Sequence, residues 1–294
     1  MDHQTQTRVQ KPRWLRRSLP RGAEDRAVRE LIKKNRLHTV CEEALCPNIS
    51  ECFSQGTATF LIMGSVCTRG CRFCAISHGK PGPPDAEEPS RVADAARDMG
   101  LGYLVVTSVT RDDLSDGGAS FFAETITRIR EELPKTRVEV LIPDFQGDPQ
   151  ALASVIRARP DVLNHNIETV PRLYPAARPD ASYPRSLALL GSVKKKAPEI
   201  PVKSGIMLGL GETSDEISRA LHDLVNAGCD ILTLGQYLQP SKRNLPVERF
   251  VHPDEFDEWR VKALDMGFSG VVSGPLVRSS YHAGDLYRAV IEKL

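Results

Sequence analysis

No stretch of this chain holds the roughly 18–20 consecutive apolar residues that a membrane helix needs, so a helical membrane protein is excluded. Neither sign of charge dominates: 39 lysines and arginines face 38 aspartates and glutamates, leaving no global field to draw the chain to nucleic acid. No internal repeat or low-complexity run divides the 294 residues, a length that fits one or two domains. The first residues carry no apolar core of a signal peptide, and Asp2 with few serines around it fits a transit peptide poorly. A reducing, cytoplasmic setting without membrane or nucleic-acid partners is therefore expected. The scarcest feature is a fourth cysteine. Six of the seven cysteines fall between Cys41 and Cys74, in two groups of three.

The first group is Cys41-x4-Cys46-x5-Cys52 and the second is Cys67-x3-Cys71-x2-Cys74. In a reducing compartment such dense thiols read as metal ligands rather than disulfides. Structural zinc takes four protein ligands, often as two short cysteine pairs, and cubane iron–sulfur clusters take four cysteines. Each triplet is one ligand short of either. Two incomplete sets point to two clusters, each with one iron left for something other than cysteine, and so to chemistry at the cluster rather than electron storage. Cys229, at the start of a strand, reads as a small buried apolar residue.

From Phe60 onward the pattern alternates strand and helix. Apolar strand segments are Phe60–Met63, Tyr103–Val109, Arg137–Ile142, Val162–Glu168, Pro201–Leu210 and Ile231–Leu238. Helical stretches are Arg91–Met99, Phe121–Leu133, Pro149–Arg159, Tyr183–Lys196, Ser214–Ala227 and Pro253–Met266. Asp148 before Pro149 is an N-cap signal, and Thr213 with Glu216 makes a capping box. Gly100, Gly228 and Gly267 stand where C-terminal caps belong. Near-continuous apolar strands in β/α series predict a parallel sheet covered by helices. An open Rossmann sheet would want G-x-G-x-x-G after the first strand, where the second cysteine triplet stands instead. Six units predict a partial TIM-type (β/α)6 barrel of the α/β class, with its site at the C-terminal ends of the strands. The expected division is residues 1–55 as an extension carrying the first triplet, 56–270 as the barrel and 271–294 as a tail. The basic stretch from Lys11 to Arg36 reads either as a solvated extension with one amphipathic helix or as a docking surface for an acidic partner.

The spacing Cys67-x3-Cys71-x2-Cys74 on the loop after the first strand resembles that of the radical S-adenosylmethionine (SAM) superfamily. In that superfamily three cysteines hold a 4Fe-4S cluster, and SAM chelates the fourth iron. The stretch VCEEALCPNISECF around the first triplet is similar to the auxiliary-cluster motif of the lipoyl synthase family. GTATFLIMG, TSVTRDDLSDGGA, VLNHNIETV, KSGIMLGLGET, LTLGQYLQPS and the Arg278-Ser-Ser-Tyr281 tail agree with the same family from about Lys11 to the C-terminus. The resemblance implies a sulfurtransferase that inserts sulfur at C6 and C8 of a protein-bound octanoyl chain. It implies two 4Fe-4S clusters, with SAM as co-substrate and the auxiliary cluster as sulfur source. Implied partners are an octanoylated lipoyl carrier domain or peptide, an electron donor such as flavodoxin or ferredoxin, and an iron–sulfur cluster carrier. It also implies a serine as fourth auxiliary ligand, mapped to Ser280 with Ser279 as the alternative. Within the superfamily, a biotin synthase or a methylthiotransferase would lack this first-triplet spacing and this tail. An iron–sulfur scaffold without turnover would leave the polar strand ends unexplained.

Weaker candidates lie at those strand ends. Strand alternation puts Asn164, Asn166 and Glu168 on one face. Together with His165 they are candidates for SAM's ribose or methionyl end, against plain hydrogen bonding at a barrel mouth. Lys203 opens an apolar run and needs a partner, either SAM's carboxylate or Glu168. Gly209, in the run from Gly205 to Glu212, resembles a superfamily glycine motif near the adenine. Arg111, Asp112 and Asp113 either position SAM or substrate or bridge loops. His38, His78, His222 and His252 show no ligand spacing.

Overall fold

The computed structural model describes residues 11–16 and 22–290; Asp2, and Arg17 and Arg21 of the basic stretch, lie outside them. The strands are β1 His38–Thr39, β2 Thr59–Ile62, β3 Val66–Cys67, β4 Ser77–His78, β5 Tyr103–Ser108, β6 Arg137–Leu141, β7 Val162–Asn164, β8 Val202–Leu208, β9 Ile231–Gln236 and β10 Gly270–Gly274. The helices are α1 Ala23–Lys34, α2 Val40–Glu43, α3 Ile49–Ser54, α4 Glu88–Asp98, α5 Ala119–Glu132, α6 Pro149–Arg157, α7 Tyr174–Ala177, α8 Tyr183–Lys196, α9 Ser214–Asn226, α10 Pro253–Met266 and α11 Ala283–Val290. None of them is long and apolar enough to cross a membrane.

Eight strands form one sheet in the order β1-β2-β5-β6-β7-β8-β9-β10. β1 runs antiparallel to β2, and every other neighbouring pair is parallel. Each parallel strand lies beside its predecessor, with helices in the connections. A right-handed twist accumulated in one direction curls such a sheet into a barrel wall. β1 and β10 do not pair, so the wall is left open between them. The fold is thus a partial α/β barrel.

Helix termini follow the local chemistry read from the sequence. The capping box of Thr213 and Glu216 is present, Asp148 caps α6 ahead of Pro149, and Gly267 ends α10 in the left-handed region at φ 112°. The helix faces then pack on the sheet. In α9 the buried residues Ile217, Ala220, Leu221 and Leu224 follow the i, i+3, i+4, i+7 stripe. Each large aliphatic among them stabilises the fold by about 1.5–3 kcal/mol relative to exposure.

Besides the short parallel pair β3 and β4 on the cysteine loop, three features depart from the sequence expectation. A seventh parallel strand, β10, joins β9 in the register Gly270↔Ile231 to Gly274↔Gly235. Five residues with glycine at both ends carry little strand propensity of their own, and pairing with β9 supplies it. The strand expected over Val162–Glu168 ends at Asn164. Glu168 takes φ 66° and returns to the sheet through a single bridge with Ile206. That twist breaks the alternation that would put Asn164 and Glu168 on one face. β1 was not expected, since two residues are too few to show a period.

Candidate functional site

Both cysteine triplets line a single cavity of about 1030 Å³. The second triplet sits on the loop after β2, at the C-terminal end of the wall. This loop is pinned rather than free. Thr68 N–H donates to Thr110 O at 3.0 Å, and the Thr110 amide lies 3.3 Å from Cys67 Sγ. Asn244 Nδ2 donates to Cys74 O at 2.8 Å. Arg69 is buried and salt-bridged to Asp112 and Asp144, both at 2.6 Å, anchoring the turn between Cys67 and Cys71. Asp112 therefore bridges loops. So does Arg111, which pairs with Asp113 at 2.8 Å and donates to Gly82 O at 3.0 Å.

The first triplet spans α2 and α3, which follow β1 in the chain. The chain beyond β10 folds back onto it: Asn48 Nδ2 donates to Leu276 O at 2.7 Å, and Tyr281 donates to Glu51 at 2.7 Å across 230 residues. Closing so long a loop costs only slowly more entropy than a shorter one. Ser279 and Ser280 consequently line the same cavity wall as Cys41, Cys46 and Cys52. Gly235 permits this closure, because a Cβ there would overlap Val277 O.

Burial pushes the Cys41 and Cys74 thiols up to about 12 and raises Cys46 and Cys71 as well. The partial charges opposing this include Arg278 at Cys46 and Arg178 at Cys71. Cys46 and Cys52 raise Cys41 further, and Cys67 and Cys71 raise Cys74, so the members of each triplet sense one another. Buried thiols gathered in this way become thiolates only beside a cation, which a metal provides. Among the described residues no three His, Cys, Asp or Glu side chains converge tightly enough for a single ion. A cluster binds each cysteine to a different iron, so thiols that neighbour one another without converging on one point fit a polynuclear group.

Beside Cys71 lies a polar corner. Asn166 Nδ2 donates to Glu168 at 3.1 Å, while Asn166 Oδ1 is buried without a partner. Burial raises Glu168, and Arg178 and Arg278 both oppose the shift. Arg178 donates to Asn166 O at 2.9 Å and Ile167 O at 3.2 Å. Its Nε has no hydrogen-bond partner. Unsatisfied donors and acceptors facing a cavity are the groups a polar ligand would satisfy.

The structure turns other candidates away. Lys203 Nζ pairs with Glu139 at 2.8 and 3.1 Å rather than with Glu168, and the lysine does not line the cavity. Asn164 Nδ2 reaches the same Glu139 at 3.3 Å, and Tyr103 donates to it at 2.7 Å. Register explains this, since β7 is flanked by β6 and β8 with Asn164 opposite Lys203 and Leu141. Gly209 also lies off the cavity. Its φ of 102° and the closeness of Gln236 and Arg249 make it a turn residue. His165 is held between Ile142 O at 2.8 Å and Ser186 at 2.9 Å, and burial lowers it to about 4. Neither Arg178 nor Arg278 was given a role from the sequence. Arg178 stands in a loop with no motif, whereas adjacency to the two serines was a usable sign for Arg278.

The Lys203–Glu139 pair is almost wholly inaccessible. Lys203→Met is expected to destabilise the fold by about 3–5 kcal/mol in urea unfolding, because it leaves a buried carboxylate without its cation. Adding Glu139→Gln should recover much of that loss. A cost below about 1 kcal/mol would mean that the pair behaves like a solvated one.

Known proteins carry the same features. The family model of the Radical SAM superfamily matches residues 61–224. Lipoyl synthase of Desulfotalea psychrophila is 58% identical over 283 residues, covering 96% of this chain and 95% of that protein. Lipoyl synthase of Nitrosococcus oceani is 56% identical over 280 residues, covering 95% and 86%.

The chain belongs to the lipoyl synthase family.

Lipoyl synthases are radical SAM enzymes that use two 4Fe-4S clusters and SAM. A third relative, the lipoyl synthase of Rubrobacter xylanophilus, is 56% identical over 273 residues, covering 93% of this chain and 85% of its own. The solved structure of methylornithine synthase aligns with a TM-score of 0.52 at 16% identity, over 87% of this chain and 82% of that one. That of HydG, a maturase of the [FeFe]-hydrogenase, aligns with a TM-score of 0.54 at 15% identity, over 94% and 69%. At such identities these two likenesses concern the fold alone, and they match the partial barrel described above.

Proposed function

We propose that this lipoyl synthase inserts two sulfur atoms, at C6 and C8 of an octanoyl group carried on a lipoyl domain, using the auxiliary cluster as the sulfur source. The observation that carries the reading is the sharing of one cavity by two three-cysteine sets. A radical made beside one set can then act on a chain that also reaches the other.

In this reading Cys67, Cys71 and Cys74 hold the SAM-binding cluster, while Cys41, Cys46, Cys52 and Ser280 hold the auxiliary one. When bound, these groups supply a 5′-deoxyadenosyl radical able to abstract hydrogen from unactivated carbon, and the sulfur that replaces it. Glu168 and the free Oδ1 of Asn166 would accept hydrogen bonds at the polar end of SAM, and Arg178 would meet its carboxylate. Asn164, Lys203 and Gly209 are given no part in this binding, since none of them lines the cavity. Val105, Ile206 and Met207 line the cavity and would keep the acyl chain dry, so that the radical meets carbon rather than solvent. The serine oxygen is a harder donor than thiolate and suits an iron that must release sulfur.

Residues 1–55 then serve as the auxiliary-cluster extension, 56–274 as the barrel with β10 included, and the remainder as the tail that brings Ser280 across the opening. Radical generation needs a one-electron donor of the flavodoxin or ferredoxin class, and repeated turnover needs a carrier to rebuild the auxiliary cluster. Both fit a reducing cytoplasm. The decisive experiment is anaerobic reconstitution with iron and sulfide, followed by reaction with SAM, reductant and an octanoylated lipoyl-domain peptide. Mass spectrometry should find the peptide heavier by two sulfur atoms, as the dithiol expected in the presence of reductant. Formation of 5′-deoxyadenosine without any sulfur-bearing peptide would overturn the assignment.

A further inference from the structure

Among the described residues most arginines withdrawn from bulk solvent pair with a carboxylate, whereas Arg178 and Arg278 do not. Arg69 has two aspartates, Arg111 has Asp113 with two carbonyls, and Arg178 has two carbonyls and the Tyr174 hydroxyl. Arg278 donates from Nη1 to the adjacent Val277 O at 2.6 Å, and no carboxylate forms an ion pair with it among the described residues. It is half-buried and lines the cavity. The wall is built around it: a Cβ at Gly235 would come within 3.3 Å of Arg278 Nη1. A guanidinium has five N–H donors, and withdrawing its charge from water is costly unless an anion compensates.

The tail contacts bracket Arg278 and set it against the first triplet, with Leu276 O held by Asn48 on one side and Tyr281 bonded to Glu51 on the other. Cys46 of that triplet and Glu168 favour its charged form, and Glu168 also interacts with Arg178. Arg178 in turn faces Cys71 of the second triplet. Each triplet thus has one arginine acting on it, and Glu168 interacts with both arginines. Arg178 has its carbonyl acceptors, whereas Arg278 has most of its donors left for whatever occupies the first triplet. Arg278 also precedes Ser279 and Ser280 directly in the chain.

We infer that Arg278 is a positioning residue of the auxiliary cluster, its charge offsetting the thiolates of the first triplet and setting the reduction potential of the group they hold. This rests on the ligand assignment proposed above. A fixed cation beside an anionic cluster favours the reduced, more negative state, so removing it lowers the potential. Lysine retains the charge but not the planar fork.

The test uses the full chain with Cys67, Cys71 and Cys74 replaced by alanine, so that only one cluster contributes. Arg278→Gln and Arg278→Lys are made in that background, and EPR-monitored redox titration is run beside iron analysis. In Arg278→Gln the ratio of reduced to oxidised cluster at a fixed poise should fall about tenfold, equivalent to about 59 mV for one electron. Arg278→Lys should recover most of the change. An unchanged ratio in Arg278→Gln, or a lysine variant displaced as far as the glutamine one, would overturn the inference. If Arg278→Gln fails to hold iron, loading decides instead: retention in Arg278→Lys supports a role for the charge, and equal loss refutes it. Fewer than about four irons in the background protein itself would overturn the ligand assignment, and this inference with it.

Discussion

Replacing Cys67, Cys71 and Cys74 by alanine is expected to abolish SAM cleavage while leaving the other cluster in place. The reconstituted parent should contain eight irons, four in each of two clusters, and the variant about four. The loss should be complete rather than graded, because the triple replacement removes every protein ligand assigned to that cluster. The loop itself should persist, since it is anchored by Arg69 on Asp112 and Asp144 and by Asn244 on Cys74 O, none of which uses a cysteine sulfur. Iron analysis, optical spectra and chromatography of 5′-deoxyadenosine are the measurements. A variant that still made 5′-deoxyadenosine would show that the second triplet had been given the wrong role.

The second large effect is a separation of activities. Replacing Cys41, Cys46 and Cys52 should preserve SAM cleavage and eliminate the sulfur-bearing product, because the radical generator stands on its own loop. Ser280→Ala should do the same through one atom. Ser280→Cys should hold the cluster, since thiolate is the better ligand for iron, and slow the release of sulfur. The tail already lies against the first triplet through Tyr281 on Glu51 and Asn48 on Leu276 O, so the serine variants should leave its course intact. Quantifying 5′-deoxyadenosine and modified peptide in the same reaction distinguishes the outcomes. Equal loss of both activities would mean that the first triplet is structural. Loss of the product only in a Ser279 variant would move the ligand by one residue and leave the mechanism standing.

The cysteine triplets, the β/α alternation and the helix caps were legible in the sequence because each depends on short-range geometry. A loop of eight residues brings Cys67, Cys71 and Cys74 together whatever the remainder of the chain does. The capping box of Thr213 and Glu216 closes within one helical turn. Partnership between distant residues was not legible. Lys203 was expected to meet Glu168 or a ligand and instead meets Glu139, because strand register, not strand sequence, decides which side chains face each other inside the wall. Asn164 and Glu168 were expected on one face, but the left-handed turn at Glu168 separates them. β10 was invisible because Gly270–Gly274 becomes a strand only by pairing with β9. The two arginines beside the triplets, Arg178 and Arg278, lie 100 residues apart and carry no spacing that relates them. The sequence alone thus determined the spacing of the two cysteine triplets and the order of the β/α elements. Closure of the wall decided which charges face the cavity, because burial and electrostatic pairing depend on contacts between residues that no local period connects.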